Sequence, residues 1–109
     1  MQKVLTMEPY FQYSQRLLIP LPELDQEWEM YTRSEQMTII AEWERIRAQI
    51  PVRIREFERE FMDTFESLHH ANDAQSIAEL SEKMAELSSI INELNVWYRQ
   101  EPHISHHES

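Results

Sequence analysis

The sequence predicts an all-α fold: a long antiparallel helical hairpin, coiled-coil-like, with an N-terminal helical segment packing on its open end. Three observations carry this. Ile77, Leu80, Met84, Leu87, Ile91, Leu94 and Tyr98 are spaced 3, 4, 3, 4, 3, 4, three heptads of a helix seam that no strand could hide on one face. A second apolar series precedes it: Ile39, Trp43, Ile46, Ile50, Ile54, Phe57, Phe61, Phe65 and Leu68, spaced 4, 3, 4, 4, 3, 4, 4, 3. A short polar break separates the two. The chain of 109 residues also contains no glycine, against about 7% in average usage. Glycine-dependent hairpin turns and helix caps are therefore missing, which counts against a hairpin-rich β fold.

The elements follow in order. In residues 1–19, Met7, Tyr10, Phe11, Ser14 and Leu18 suggest one short amphipathic helix ending before Pro20. Ile19-Pro20-Leu21-Pro22 reads as an extended connector, because a residue before proline is pushed out of the helical region. Pro22 suits the first turn of a new helix, with Glu23 and Asp25 near its positive end and Leu21, Leu24, Trp28 and Tyr31 on one face. Thr32 and Glu35 form a capping box for the next helix. From there the apolar series runs to Leu68 with an eleven-residue rhythm. About 34 residues would make a rod roughly 51 Å long. Pro51 lies in its middle and would kink or break it. Ile46, Ile50, Ile54 and Phe57 stay in phase across the proline, which favours a kinked continuous helix over a break. His69-His70-Ala71-Asn72-Asp73 is the turn, with Asn72 or Asp73 as the next cap. The final helix covers roughly residues 74–100 and stops before Pro102. One helical domain, 1–101, and a disordered tail, 102–109, are expected.

Folding back near residue 71 pairs positions whose numbers sum to roughly 142. Phe57 then lies near Met84 and Leu87, Ile50 near Ile91, and Trp43 near Tyr98. The first helix overshoots, leaving Met37, Ile39 and Ile40 without cover, while Ile90 and Trp97 flank the seam. Keeping such side chains in water forfeits about 1.5–3 kcal/mol each. Closure by the Leu21–Tyr31 segment together with a second chain is expected, with these five residues as the partner-binding candidates. Ser81, Ser88 and Asn95 recur every seven residues on the other flank, where small side chains would let another helix approach.

Several chemistries are excluded. Without glycine there is no Gly-rich phosphate cradle or nucleophile elbow in its usual form. Without cysteine there is no disulfide, thiolate nucleophile or Cys-ligated zinc. Twenty acidic residues against ten basic ones give a formal charge of −10, a field that repels nucleic acid and anionic lipid. The first residues lack the apolar core of a signal peptide, and the longest apolar run, Leu17-Leu18-Ile19-Pro20-Leu21, is far short of a membrane span. A soluble cytoplasmic protein is expected.

Positive charge is concentrated once, at Arg45, Arg47, Arg53, Arg55 and Arg59. On a continuous helix Arg45, Arg55 and Arg59 share a face opposite the seam, a candidate anion-binding stripe. Glu42, Glu44 and Glu56 stand three residues before Arg45, Arg47 and Arg59 and answer much of that charge locally. Glu66 and His69 form a Glu-x-x-His step, the spacing that di-iron bundles use in pairs. One step alone makes a metal-binding bundle the alternative rather than the main reading, and a dimer would have to supply the second copy. His103, His106 and His107 in the tail have no ordered backbone to make them a metal site. No serine–histidine–acid set or catalytic carboxylate pair stands out. The expectation is a non-enzymatic adaptor or regulator with no cofactor, acting on a protein partner and forming a homodimer. A structural assembly subunit is the second alternative.

Overall fold

The computed structural model describes residues 10–100, and among them helix dominates. Helices α1 (Arg33–Arg47), α2 (Ile50–His70) and α3 (Ala74–Tyr98) hold 15, 21 and 25 residues. Two short strands, β1 (Phe11–Ser14) and β2 (Ile19–Pro22), precede them, with a 3₁₀ turn at Trp28–Met30. The described residues divide into two compact units: 10–49 with Arg99 and Gln100, and Ile50–Tyr98. Met7, the expected tail and its three histidines lie outside the described residues.

In the first unit, the segment expected to be helical is a β-hairpin. Phe11 pairs with Pro22, Gln12 with Leu21, Tyr13 with Pro20 and Ser14 with Ile19 in antiparallel register. The Glu23 N–H donates to the Tyr10 carbonyl at 2.8 Å. By the alternation of an antiparallel ladder, Leu21 and Ile19 then also face β1, and Pro20 and Pro22 fall at the outward positions. Two residues without an N–H therefore line the open edge of β2, where proline is tolerated and where it blocks further strand pairing. Helical spacing gave way here because these prolines enforce extended backbone; in the hairpin Phe11, Leu17 and Ile19 are all buried. The loop closes without glycine. Leu18 takes positive φ at 61°, its N–H donates to the Ser14 carbonyl at 2.7 Å, and the Leu17 N–H donates to Ser14 Oγ at 3.0 Å.

The Leu21–Tyr31 segment is likewise not a helix beyond the three-residue 3₁₀ turn. It is held by side chains instead. Tyr31 Oη accepts from the Asp25 N–H and donates to Asp25 Oδ1, both at 3.0 Å, and Gln36 Nε2 donates to the Trp28 carbonyl at 2.9 Å. The capping box of α1 is present: Glu35 N–H donates to Thr32 Oγ1 at 3.0 Å and Thr32 N–H to Glu35 Oε1 at 2.9 Å. The other Glu35 oxygen accepts from the Tyr10 hydroxyl at 3.3 Å, tying the hairpin base to the helix start. Burial, followed by the neighbouring Glu35 carboxylate, pushes the Tyr10 hydroxyl above its ordinary value, so it remains a donor. Tyr31 is raised in the same direction by burial and by its bond to Asp25. Ile39, Trp43 and Ile46 form the buried face of α1, and the indole N–H of Trp43 donates to the Gln100 carbonyl at 3.0 Å.

The long rod is interrupted rather than kinked. α1 ends at Arg47, Ala48 keeps right-handed helical angles, the Gln49 N–H closes a tight turn on the Ile46 carbonyl at 2.9 Å, and α2 restarts at Ile50. Pro51 thus occupies the first turn of a new helix, where its missing N–H would have had no intrahelical partner. The phase of Ile46, Ile50 and Ile54 does not require continuity, because the break is only two residues long.

Candidate functional site

The second unit consists of α2 and α3, which lie against each other and are joined through residues 71–73. Asp73 caps α3. Its carboxylate accepts from the Ser76 N–H at 3.0 Å, and that bond holds the carboxyl below its ordinary range. Lys83 Nζ sits 3.3 Å from Glu60 Oε2 across the two helices, within one residue of the expected register.

The inward face of α2 differs from the expected one at a single point. Ile50, Phe57 and Thr64 are buried and Ile54, Phe61 and Leu68 half-buried, a 4-3-4-3-4 spacing that matches the heptads of α3. Thr64 is only 4% exposed, and its hydroxyl donates to the Glu60 carbonyl at 2.8 Å, so no polar group is left unpaired. Phe65, expected inside as part of an eleven-residue rhythm, stands 49% exposed. A helix facing a heptad partner keeps the heptad, even where that buries a threonine and leaves the adjacent phenylalanine outside.

Phe65 is not alone on that flank. Met62, one turn before it, is 58% exposed. Glu58, Phe61, Met62, Ser88 and Ile91 line a groove of about 390 Å³ between the helices. At about 100° per residue, Ile77, Ser81, Met84, Ala85, Ser88, Asn92 and Asn95 fall on the same side of α3 as the groove. The charged residues of α3 (Glu79, Glu82, Lys83, Glu86 and Glu93) fall on the opposite side, where Lys83 meets Glu60. α3 therefore gives its charges to one flank of the hairpin and only small, uncharged and apolar residues to the other, where Glu58 of α2 is the charged residue at the groove.

The residues singled out from sequence distribute unevenly. Met37 is 57% exposed and Ile40 and Trp97 are half-buried. Ile39 and Ile90 are buried within the chain, so neither belongs to an open surface. Their burial follows from position: each falls on the inner side of its helix, Ile39 in line with Trp43 and Ile46, Ile90 between Leu87 and Leu94.

The arginines of the stripe are divided between α1 and α2. Arg45 pairs with Glu42, Arg47 with Glu44, and the helix break separates both from Arg55 and Arg59. Glu56, expected to answer Arg59, instead accepts from Arg53 at 3.0 Å. Among the described residues, Arg55 and Arg59 have no ion-pair partner. Glu66 Oε2 lies 3.6 Å from His70 Nε2, and the His69 ring meets the His70 ring edge-on at 5.6 Å. Among the described residues no three histidine or carboxylate side chains gather in a way that would hold a metal ion.

Sequence reasoning missed Met62 as a surface residue because it belongs to neither apolar series. The available signal was the recurrence of Ser81, Ser88 and Asn95, which marks the flank where the groove lies. Asn95 Nδ2 donates to the Ile91 carbonyl at 3.0 Å, so its amide is turned onto its own helix. In the first unit a second depression, about 320 Å³, is lined by Gln12, Tyr13, Ser14, Leu21, Pro22 and Glu23. Its donor-free edge suits it poorly to strand addition. No protein-family model matches the chain, and no curated protein or solved structure matches it either. Among the described residues no helix is long and apolar enough to cross a membrane.

Proposed function

We propose that this protein works in the cytoplasm by binding protein, as a non-enzymatic adaptor or regulator, through the groove-bearing flank of the α2–α3 hairpin. In this reading the two helices pack with coiled-coil-like interdigitation and form a rigid frame. The exposed Met62 and Phe65 beside the groove then supply the anchors. The observation that carries the reading is the exposure of these two large side chains on a flank from which α3 withholds every charge. Contiguous apolar surface of this kind is what binding sites offer and what a monomer otherwise avoids. Methionine suits the role, since its flexible thioether adapts to a partner's shape.

Affinity capture from the native cell tests this. Tagged wild-type chain should retain a discrete protein partner, including untagged copies of itself, at moderate salt. Met62→Glu should lose it while keeping its helix content, because an unpaired carboxylate in an apolar contact costs far more than the methionine contributes. Equal retention by both would remove the hairpin flank from the account. Stoichiometric iron, manganese or zinc in tag-free protein would favour the metal-binding alternative instead.

A further inference from the structure

The chain holds six methionines and no cysteine, so its only sulfur chemistry is that of the thioether. Met30, Met37, Met62 and Met84 lie among the described residues. Met84 is half-buried on the seam side of α3, and Met30 and Met37 are exposed in the first unit. Met62 is exposed in the second unit and at the same time lines the groove with Glu58, Phe61, Ser88 and Ile91. A dissolved oxidant therefore reaches its sulfur on the surface that the protein-binding reading assigns to a partner. We propose that Met62 is an oxidation site that switches this flank off: hydrogen peroxide converts its thioether to the sulfoxide, and the flank then no longer accepts an apolar partner surface. The inference rests on the protein-binding reading above and adds its regulation.

The step is a two-electron oxidation of sulfur by the peroxide. The sulfur lone pair attacks one peroxide oxygen, and an S–O bond forms as the O–O bond breaks. The departing hydroxide takes the proton of the transferred hydroxyl and leaves as water. The product exchanges a flexible apolar group for a polar one with a strong acceptor oxygen. Water satisfies that oxygen while the flank is open. Under a partner it has few donors: the Glu58 carboxylate is itself an acceptor, the side chains of Phe61 and Ile91 offer none, and Ser88 supplies one hydroxyl. Burying an acceptor so poorly answered opposes binding. Met62 lies off the inner face of α2, which Ile50, Ile54, Phe57, Phe61, Thr64 and Leu68 form, so its oxidation leaves the packing of the hairpin in place.

Peroxide treatment of tagged wild type and of Met62→Leu tests it, with peptide mapping to locate the sulfoxide and circular dichroism to follow helix content. Leucine keeps the apolar volume and carries no sulfur to oxidise. The sulfoxide should form faster at Met62 than at Met84, with helix content unchanged. Oxidised wild type should then retain its protein from native extract about tenfold less than the untreated chain. Met62→Leu should retain it equally before and after peroxide. Treatment of oxidised wild type with the two sulfoxide reductases, one for each epimer, should restore retention. Met62 oxidising no faster than Met84 would overturn the inference, and so would equal retention by oxidised and untreated wild type. The same loss in Met62→Leu would also overturn it, since the effect would then belong to another methionine. In each of those cases retention by the untreated chain leaves the protein-binding reading standing. If untreated wild type retains nothing, that reading and the switch fall together.

Discussion

Replacing Trp43 by alanine should lower the unfolding free energy by about 3–5 kcal/mol, the range for truncating a large buried aromatic. Trp43 is 1% exposed, the largest of the fully buried side chains. Its loss would open a cavity and also free the Gln100 carbonyl that the indole N–H now satisfies at 3.0 Å. Domains of this size have about 5–15 kcal/mol in total, so the variant should be marginal near body temperature. Trp43→Phe keeps much of the volume and loses the hydrogen bond, and should cost clearly less. Urea unfolding of the three proteins separates the contributions. A cost under about 1 kcal/mol for Trp43→Ala would contradict its burial.

Leu87→Ala is expected to cost about 2–5 kcal/mol. Leu87 lies at the centre of the α3 seam and is 4% exposed, whereas Ile77, on the same heptad series, is 42% exposed. Truncating Ile77 should therefore cost less than about 1.5 kcal/mol, the lower bound for a fully buried side chain of that size. The contrast is the informative part. Equal losses would mean that the seam is buried along its whole length, and two small losses would mean that the helices do not pack.

The helices were largely legible from the sequence, for physical reasons that can be named. The heptads of α3 have no competing period, so its span is recovered to within two residues. The Thr32–Glu35 box and the Asp73 cap are local motifs, and they form as their spacing demands. Other features depended on competition that pattern alone does not resolve. The β-hairpin was hidden because Pro20 and Pro22 read as breakers, whereas at alternate outward positions they are compatible with an edge strand. The interruption at Ala48 and Gln49 was hidden because a break so short barely disturbs helical phase. Thr64 displaced Phe65 from the inner face, since register with α3 outweighed the hydrophobicity of one residue. That displacement is what creates the exposed flank, so the candidate site was invisible for the same reason that the seam was misread at one position. Of the five partner-binding candidates Met37 is exposed and Ile40 and Trp97 are half-buried, whereas Ile39 and Ile90 are buried within the chain because each lies on the inner side of its helix.

The absence of cysteine permits one direct measurement of the central claim, that the Met62 flank is the working surface of this protein. Met62→Cys places a single thiol on the groove flank, and Glu82→Cys places one on the acidic flank as a control. With a photo-crosslinker attached to that thiol in the native extract, Met62→Cys should trap a discrete protein, a second copy of the chain included, while Glu82→Cys traps none. A Met62→Cys protein that traps nothing, or two variants that trap the same proteins equally, would contradict the account.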